Sequence, residues 1–152
     1  MKTVIQRVSK AHVDVGGKTV GAIQKGMCLL IGIEASDTMA EIEKMVQKII
    51  HLRIFSDKNG KMNLSLLDIK GAVLAISQFT LLGDCRTGRR PSFTNAGDPE
   101  NAKRLYDLFT EKMHANGIPT QCGVFGAHMD VHIENDGPVT FILESEKNET
   151  KK

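Results

Sequence analysis

Apolar and polar residues begin to alternate at Val4. Val4 to Val8 reads as a strand, or as the start of a longer one. Val13 and Val15, then Val20 and Ala22, flank Gly16-Gly17 and read as two strands joined by a tight turn. Met27 to Ile33 is apolar throughout, which predicts a strand buried on both faces. The period then changes. Ile42, Met45, Val46, Ile49 and Ile50 fall at i, i+3, i+4, i+7 and i+8, so they line one face of a helix. Asp37 is positioned to cap that helix, and the polar residues between Glu41 and Lys48 form its wet side.

Leu52 to Phe55 reads as a short strand, closed by the turn residues Asp57-Lys58-Asn59-Gly60. Ala72 to Phe79 predicts a strong strand that delivers Ser77-Gln78-Phe79-Thr80 at its C-terminal end. Gly83 to Gly97 has no period and predicts a long functional loop. Asp98-Pro99-Glu100 opens a second helix with a capping Asp and Pro at the first helical position. Ala102, Leu105, Tyr106, Phe109 and Met113 form its buried stripe, and Gly117 then Pro119 stop it. Val124 to Gly126, Met129 to Ile133 and Val139 to Leu143 complete the strands, with Asn135 to Pro138 as a turn between the last two. Residues 145–152 are polar and expected to fray. With neither repeats nor a linker, residues 1–144 form one domain of mixed strands and helices, α/β in class and of the α+β type.

Composition narrows the function classes. The 152 residues suit a single core, and 41% hydrophobic with 25% charged residues is ordinary for a globular protein. The net charge of +2 is small for a dedicated nucleic-acid binder, so an RNA partner requires basic residues gathered locally. Neither a secretory leader nor an apolar run of about 20 residues is expected from the pattern. Cys28, Cys85 and Cys122 are odd in number and widely spaced, which argues against a disulfide framework and a paired-cysteine zinc site. A reducing, cytoplasmic setting follows as the expectation.

Chemistry is less legible from residue types alone. Gly-x-Ser-x-Gly is absent, and none of His12, His51, His114, His128 and His132 has His-Glu-x-x-His spacing. His128 and His132 would share a face of a strand, but further ligands are lacking nearby, so solvent-side histidines are the expectation. Ser77 and Thr80 are either working hydroxyls or strand-end residues bonded to local backbone. Phe79 is either core or a base-stacking surface. Arg86, Arg89 and Arg90 form a cationic cluster suited to phosphate, or a solvated loop. Gly137-Pro138 is either a plain turn or one built on a cis bond.

Four segments in order change the balance. Ser77-Gln78-Phe79-Thr80-Leu81, Gly88-Arg89-Arg90-Pro91-Ser92-Phe93, Gly123-Val124-Phe125-Gly126-Ala127 with Met129 and Val131, and Asn135-Asp136-Gly137-Pro138-Val139 together resemble the D-aminoacyl-tRNA deacylase family. The resemblance runs from Met1 to about Glu144. Leu82 departs from it, standing where many members carry an aromatic such as Tyr.

The resemblance implies a cofactor-free, metal-free hydrolase that cleaves the ester between a D-amino acid and the terminal ribose of tRNA. It also implies a homodimer whose mixed sheet curls towards a barrel flanked by two main helices. The Gly137-Pro138 bond would be cis and would enter the partner's site. Its carbonyls would accept from the substrate's amino group, so an L side chain would clash there while a D side chain, or the hydrogen of a glycyl ester, would not. Arg7 would hold that loop, and Met129 would face the substrate. Ser77, Gln78, Phe79 and Thr80 would form the catalytic segment, with amides around Gln78 and Phe79 facing the oxyanion and Phe79 near the terminal adenine. The substrate's own 2′-hydroxyl would assist the reaction, which leaves Thr80 mainly a positioning role. Arg86, Arg89 and Arg90 would contact RNA or brace the site. Two other readings compete: a tRNA-binding module without turnover, and a metal-dependent hydrolase of another ester.

Overall fold

A computed structural model describes residues 1–146. Along them run β1 (Lys2–Val15), β2 (Lys18–Ile23), β3 (Gly26–Gly32), α1 (Met39–His51), β4 (Phe55–Ser56), β5 (Met62–Leu64), α2 (Leu66–Ile69), β6 (Ala72–Ser77), α3 (Pro99–Ala115), β7 (Thr120–Cys122) and β8 (Asp130–Glu144). The main sheet has the order β2-β1-β3-β6-β7, and β8 pairs with the other edge of β1. β1 is antiparallel to β2, β3 and β8, while β3, β6 and β7 run parallel, so the sheet is mixed as expected. It curls into a nearly closed barrel, bringing β2 against β6 and β7.

The two-residue period of β3 and β6 divides the core. Met27, Leu29 and Ile31 join Val73 and Ala75 beneath the helices. Cys28, Leu74 and Ile76 point to the other face, where Val8, Ala11, Val13 and Ile23 meet them. Both strands are therefore covered on both sides, as the apolar run at Met27 predicts. α1 and α3 cover the first face with the predicted stripes, Ile42, Met45, Val46, Ile49 and Ile50 from α1, and Ala102, Leu105, Tyr106, Phe109 and Met113 from α3. Full burial of each Leu, Ile, Val, Met or Phe contributes about 1.5–3 kcal/mol. Asp98 caps α3 through the Asn101 amide, Pro99 opens it, and Gly117 follows with φ +80°.

Several local expectations fail for identifiable reasons. Thr38 rather than Asp37 caps α1, in a capping box with Glu41. The Asp37 carboxylate is taken instead by the buried Met1 amine at 2.8 Å and the Glu34 amide at 2.6 Å. The strand expected over Leu52 to Phe55 forms only at Phe55–Ser56, paired with β5. β6 ends at Ser77, and Phe79–Leu82 turns into a single 3-10 helix. Val124 to Gly126 is a turn, with Gly126 at φ +76°, while the neighbouring strand is Thr120–Cys122.

The largest correction concerns the end of the chain. Asn135 to Pro138 does not reverse direction. β8 passes straight through it and stays paired to β1 from Asp130 to Glu144, with register shifts opposite Gln6–Lys10. The extra residues are absorbed as bulges, which keep a strand running while expelling part of it. In the segment expected to fray, the Ser145 amide donates to the Met1 carbonyl at 2.9 Å. Residues 147–152 lie outside the described residues.

Candidate active site

The end of β6 opens a cleft. Ile76, Ser77, Gln78 and Phe79 form one wall, and Phe125, His128, Met129 and Val131 stand among the residues of the other. Its volume of about 280 Å³ is near the lower end for ligand sites, about 300–1,000 Å³. Hydrophobic burial of β6 sets the wall: Leu74 and Ile76 are locked in the core, so the first residues free of it are Ser77 and Gln78.

The 3-10 turn then decides which backbone donors remain available. The Gln78 amide donates to the Ile31 carbonyl at 2.7 Å, so it is committed to the sheet. This narrows the expected oxyanion donors. Among the described residues no acceptor takes the amides of Phe79 and Thr80, the usual condition of donors in a helix's first turn. The Gln78 side-chain amide donates to the Thr80 hydroxyl. The Phe79 ring is 58% exposed and leans on Phe93 at 5.2 Å between centroids, so it is a surface platform and not core.

Thiol chemistry is disfavoured in the core. Burial pushes the Cys28 thiol up to about 12, and burial also raises Cys122, so neither supplies a thiolate near neutral pH. The Tyr106 phenol is likewise raised by burial, and its hydroxyl donates to the Ala75 carbonyl at 2.6 Å.

The second segment is built differently. Gly137 has φ +148° and is joined to Pro138 by a cis bond, and both residues are exposed on β8. Arg7, 8% exposed, donates from Nε to the Asp136 carbonyl at 2.9 Å and from Nη1 to the Ile54 carbonyl at 2.8 Å. Its Nε is also 3.2 Å from the Asp136 carboxylate. Asn135 closes the bulge from the other side: its Oδ1 accepts from the Val139 amide at 2.7 Å, and its Nδ2 donates to the Thr140 hydroxyl at 3.1 Å. In the sequence Asn135 stands only as one residue of the Asn135-Asp136-Gly137-Pro138 motif. The signal available was an Asn before a Gly-Pro pair, a side chain suited to bonding nearby backbone.

The chain does not bring the two segments together. Val131 lines the cleft, whereas Gly137, farther along β8 and past the register shifts, is not among the residues that line it. Met129, by contrast, does join Ser77, Gln78 and Phe79 in the cleft.

Residues 4–144 match the family model for D-Tyr-tRNA(Tyr) deacylase. The chain belongs to that family. A D-aminoacyl-tRNA deacylase of Thermosipho melanesiensis is 55% identical, with 97% of this chain and 99% of the relative covered. The solved structure of the c-Myc DNA Unwinding Element Binding Protein is 45% identical, with a TM-score of 0.92 and 97% and 100% coverage of the two chains. A further solved chain, a probable eukaryotic D-amino acid tRNA deacylase, shares the fold, at 20% identity and a TM-score of 0.81 over 93% of this chain and 97% of its own.

In this deacylase-family chain the arginine loop is less open than its composition suggests. Asp84 and Ser92 pair through two backbone bonds of 2.7 and 2.9 Å, closing the segment into a hairpin-like loop. Arg86 is held by Asp84 through Nε at 2.9 Å and Nη2 at 2.7 Å, and the same contact lowers the Asp84 carboxyl to about 2. The Arg86 fork is thus occupied, while Arg89 and Arg90 are exposed and carry no ion pair among the described residues. His128 lies on the cleft rim and not in the strand expected to hold it. No described helix is long and apolar enough to cross a membrane.

Proposed function

We propose that this protein hydrolyses the ester of D-aminoacyl-tRNA to free D-amino acid and tRNA and leaves L-aminoacyl-tRNA intact. Full-length membership of the D-Tyr-tRNA(Tyr) deacylase family is the observation that carries this reading. The uncommitted Phe79 amide suits a developing oxyanion, because a preorganised donor outside bulk water stabilises new charge strongly. The exposed Phe79 ring suits stacking on the terminal adenine, and Arg89 and Arg90 suit backbone phosphates better than the occupied Arg86. Thr80 positions the substrate, its hydroxyl already accepting from Gln78. The terminal 2′-hydroxyl of the tRNA then assists cleavage.

Chirality is read by Gly137 and Pro138 of a second copy. The separation of the two segments along β8 supports this, since a single chain offers the cleft without that loop. Their carbonyls accept from the substrate's amino group, and an L side chain meets the loop. A glycyl ester has no side chain to exclude and is hydrolysed too. The enzyme works in the cytoplasm as a homodimer with two composite sites.

The test is incubation with D-tyrosyl-tRNA and L-tyrosyl-tRNA, with and without EDTA. The expected result is D-selective release of amino acid, unaffected by chelator. Equal hydrolysis of both forms, or none of the D form, overturns the reading. The DNA-binding name of the 45% identical structure favours a second reading, nucleic-acid binding without turnover. It predicts retention of nucleic acid that weakens steeply with salt while both esters survive.

A further inference from the structure

Outside the cleft, on the opposite side of the same wall, β1 and β8 gather a set of donors that the proposed reaction does not use. His12 and His132 are register partners across the ladder, and their rings stack at 4.2 Å with planes 9° apart. Asp14, two residues along on the same face of β1, places Oδ2 at 3.7 Å from His12 Nε2 and 3.4 Å from His132 Nε2. Its other oxygen, Oδ1, accepts from the Thr19 hydroxyl at 2.6 Å. All three ligand atoms lie within 4.8 Å of one another.

These spacings suit a coordination sphere. Donors bound at about 2.0–2.1 Å around a tetrahedral zinc ion sit about 3.3 Å apart. Both histidine–carboxylate distances are already close to that, whereas the two imidazoles lie in nearly parallel planes, so each ring turns out of the stack to aim its Nε2 at a shared ion. Two imidazoles and one carboxylate are the donors zinc takes, whereas magnesium and calcium prefer all-oxygen sets. Thr19 does what outer hydrogen bonds do in such sites, orienting the carboxylate so that the remaining oxygen faces the ion. His12, Asp14 and His132 remain partly or fully open to solvent, which leaves a path for entry and a fourth position for water.

We propose that His12 Nε2, His132 Nε2 and Asp14 Oδ2 bind one zinc ion per chain. The ion bridges β1 and β8 on the face of the ladder opposite the Val131 side chain, adding to the stability of a pair already joined by its backbone bonds without entering the cleft. This site is independent of the deacylase reading.

The test titrates chelator-stripped full-length protein with zinc chloride by calorimetry, counts bound metal after dialysis, and follows thermal unfolding. One zinc per chain is expected, with Tm rising by about 5–10 °C at a hundredfold excess over Kd. His12→Ala, His132→Ala and Asp14→Asn should each weaken binding at least about tenfold and shrink the Tm rise, while Thr19→Val weakens it about 10-fold. Cobalt substitution should give visible d–d absorption that His132→Gln abolishes, which guards against loss of the alanine variant to misfolding. His128→Ala and Cys85→Ser should bind zinc as the parent does. The proposal is overturned if the parent takes up less than one zinc at millimolar metal, or if His132→Gln and Asp14→Asn bind as tightly as the parent.

Discussion

Ser77 to Thr80 and Asn135 to Val139 both reach the surface from strands of one sheet, yet they are held there by opposite means. The first is positioned from behind by apolar burial, since β6 is locked on both faces and its last residues emerge where the core stops. The second has little core beneath it beyond Val139 and is gripped by polar bonds: Arg7 on the Asp136 carbonyl, and Asn135 across the bulge. A segment held by burial tolerates changes at its exposed tips. One held by a few directional bonds has no such reserve, because each lost bond frees the backbone itself.

That contrast sets the order of expected effects. Gly137→Ala is the most severe. Its φ of +148° disfavours any side chain, and a Cβ there would sit 2.6 Å from Val139 Cγ2 and 2.7 Å from the Val139 amide. Hydrolysis of D-tyrosyl-tRNA should fall about 100-fold, about 2.7 kcal/mol in barrier. Parental rates would mean that the segment is only a bulge.

Arg7→Ala comes next. It leaves the Ile54 carbonyl without its donor in a buried place, at a cost of about 2 kcal/mol. Calorimetry should show Tm lower by about 4–8 °C, with activity down about tenfold as the Gly137 segment loosens. Arg7→Lys should restore little, because one ammonium cannot reach two carbonyls as the guanidinium fork does. Full rescue by lysine would show that charge alone holds the segment.

On the other side of the comparison, Phe79→Ala removes an exposed ring. Stability should stay within about 0.5 kcal/mol, while KM rises about tenfold through the lost stacking platform. A large fall in Tm would mean that the Phe79 ring packs into the core. On the proposed positioning role, Thr80→Ala should be mildest, within about threefold of parental kcat, because what it removes is the contact with Gln78. Loss of all turnover with D-substrate binding intact would make Thr80 the nucleophile.

What was legible in the sequence follows the range of the forces involved. α3 could be delimited almost to the residue, because its cap, its first-turn proline and its terminal glycine act within a few positions. α1 was equally clear in its buried stripe but not in its cap, since the Asp37 carboxylate is claimed by the distant Met1 amine. α2 is not legible in the sequence although Ser65 and Asp68 form a capping box, a signal too short to stand out without its neighbours. In the candidate site, the exposed tips at Ser77 to Thr80 were readable from the end of an apolar run. The commitment of the Gln78 amide to Ile31 was not, because it depends on which strand lies alongside.

Local pattern by itself determined the two-faced strands, the two main helices and the four ordered segments that mark the family. Periodicity and capping are chosen within a turn or two of chain, so they are written where they act. Only the tertiary structure decided that Asn135 to Pro138 is a bulge in one continuous strand, and that His12, Asp14 and His132 share a corner. It also decided that Gly137 stands outside the cleft of its own chain. Those facts arise from pairing β1 with β8, partners more than a hundred residues apart, and register across such a distance is set by packing of the whole sheet.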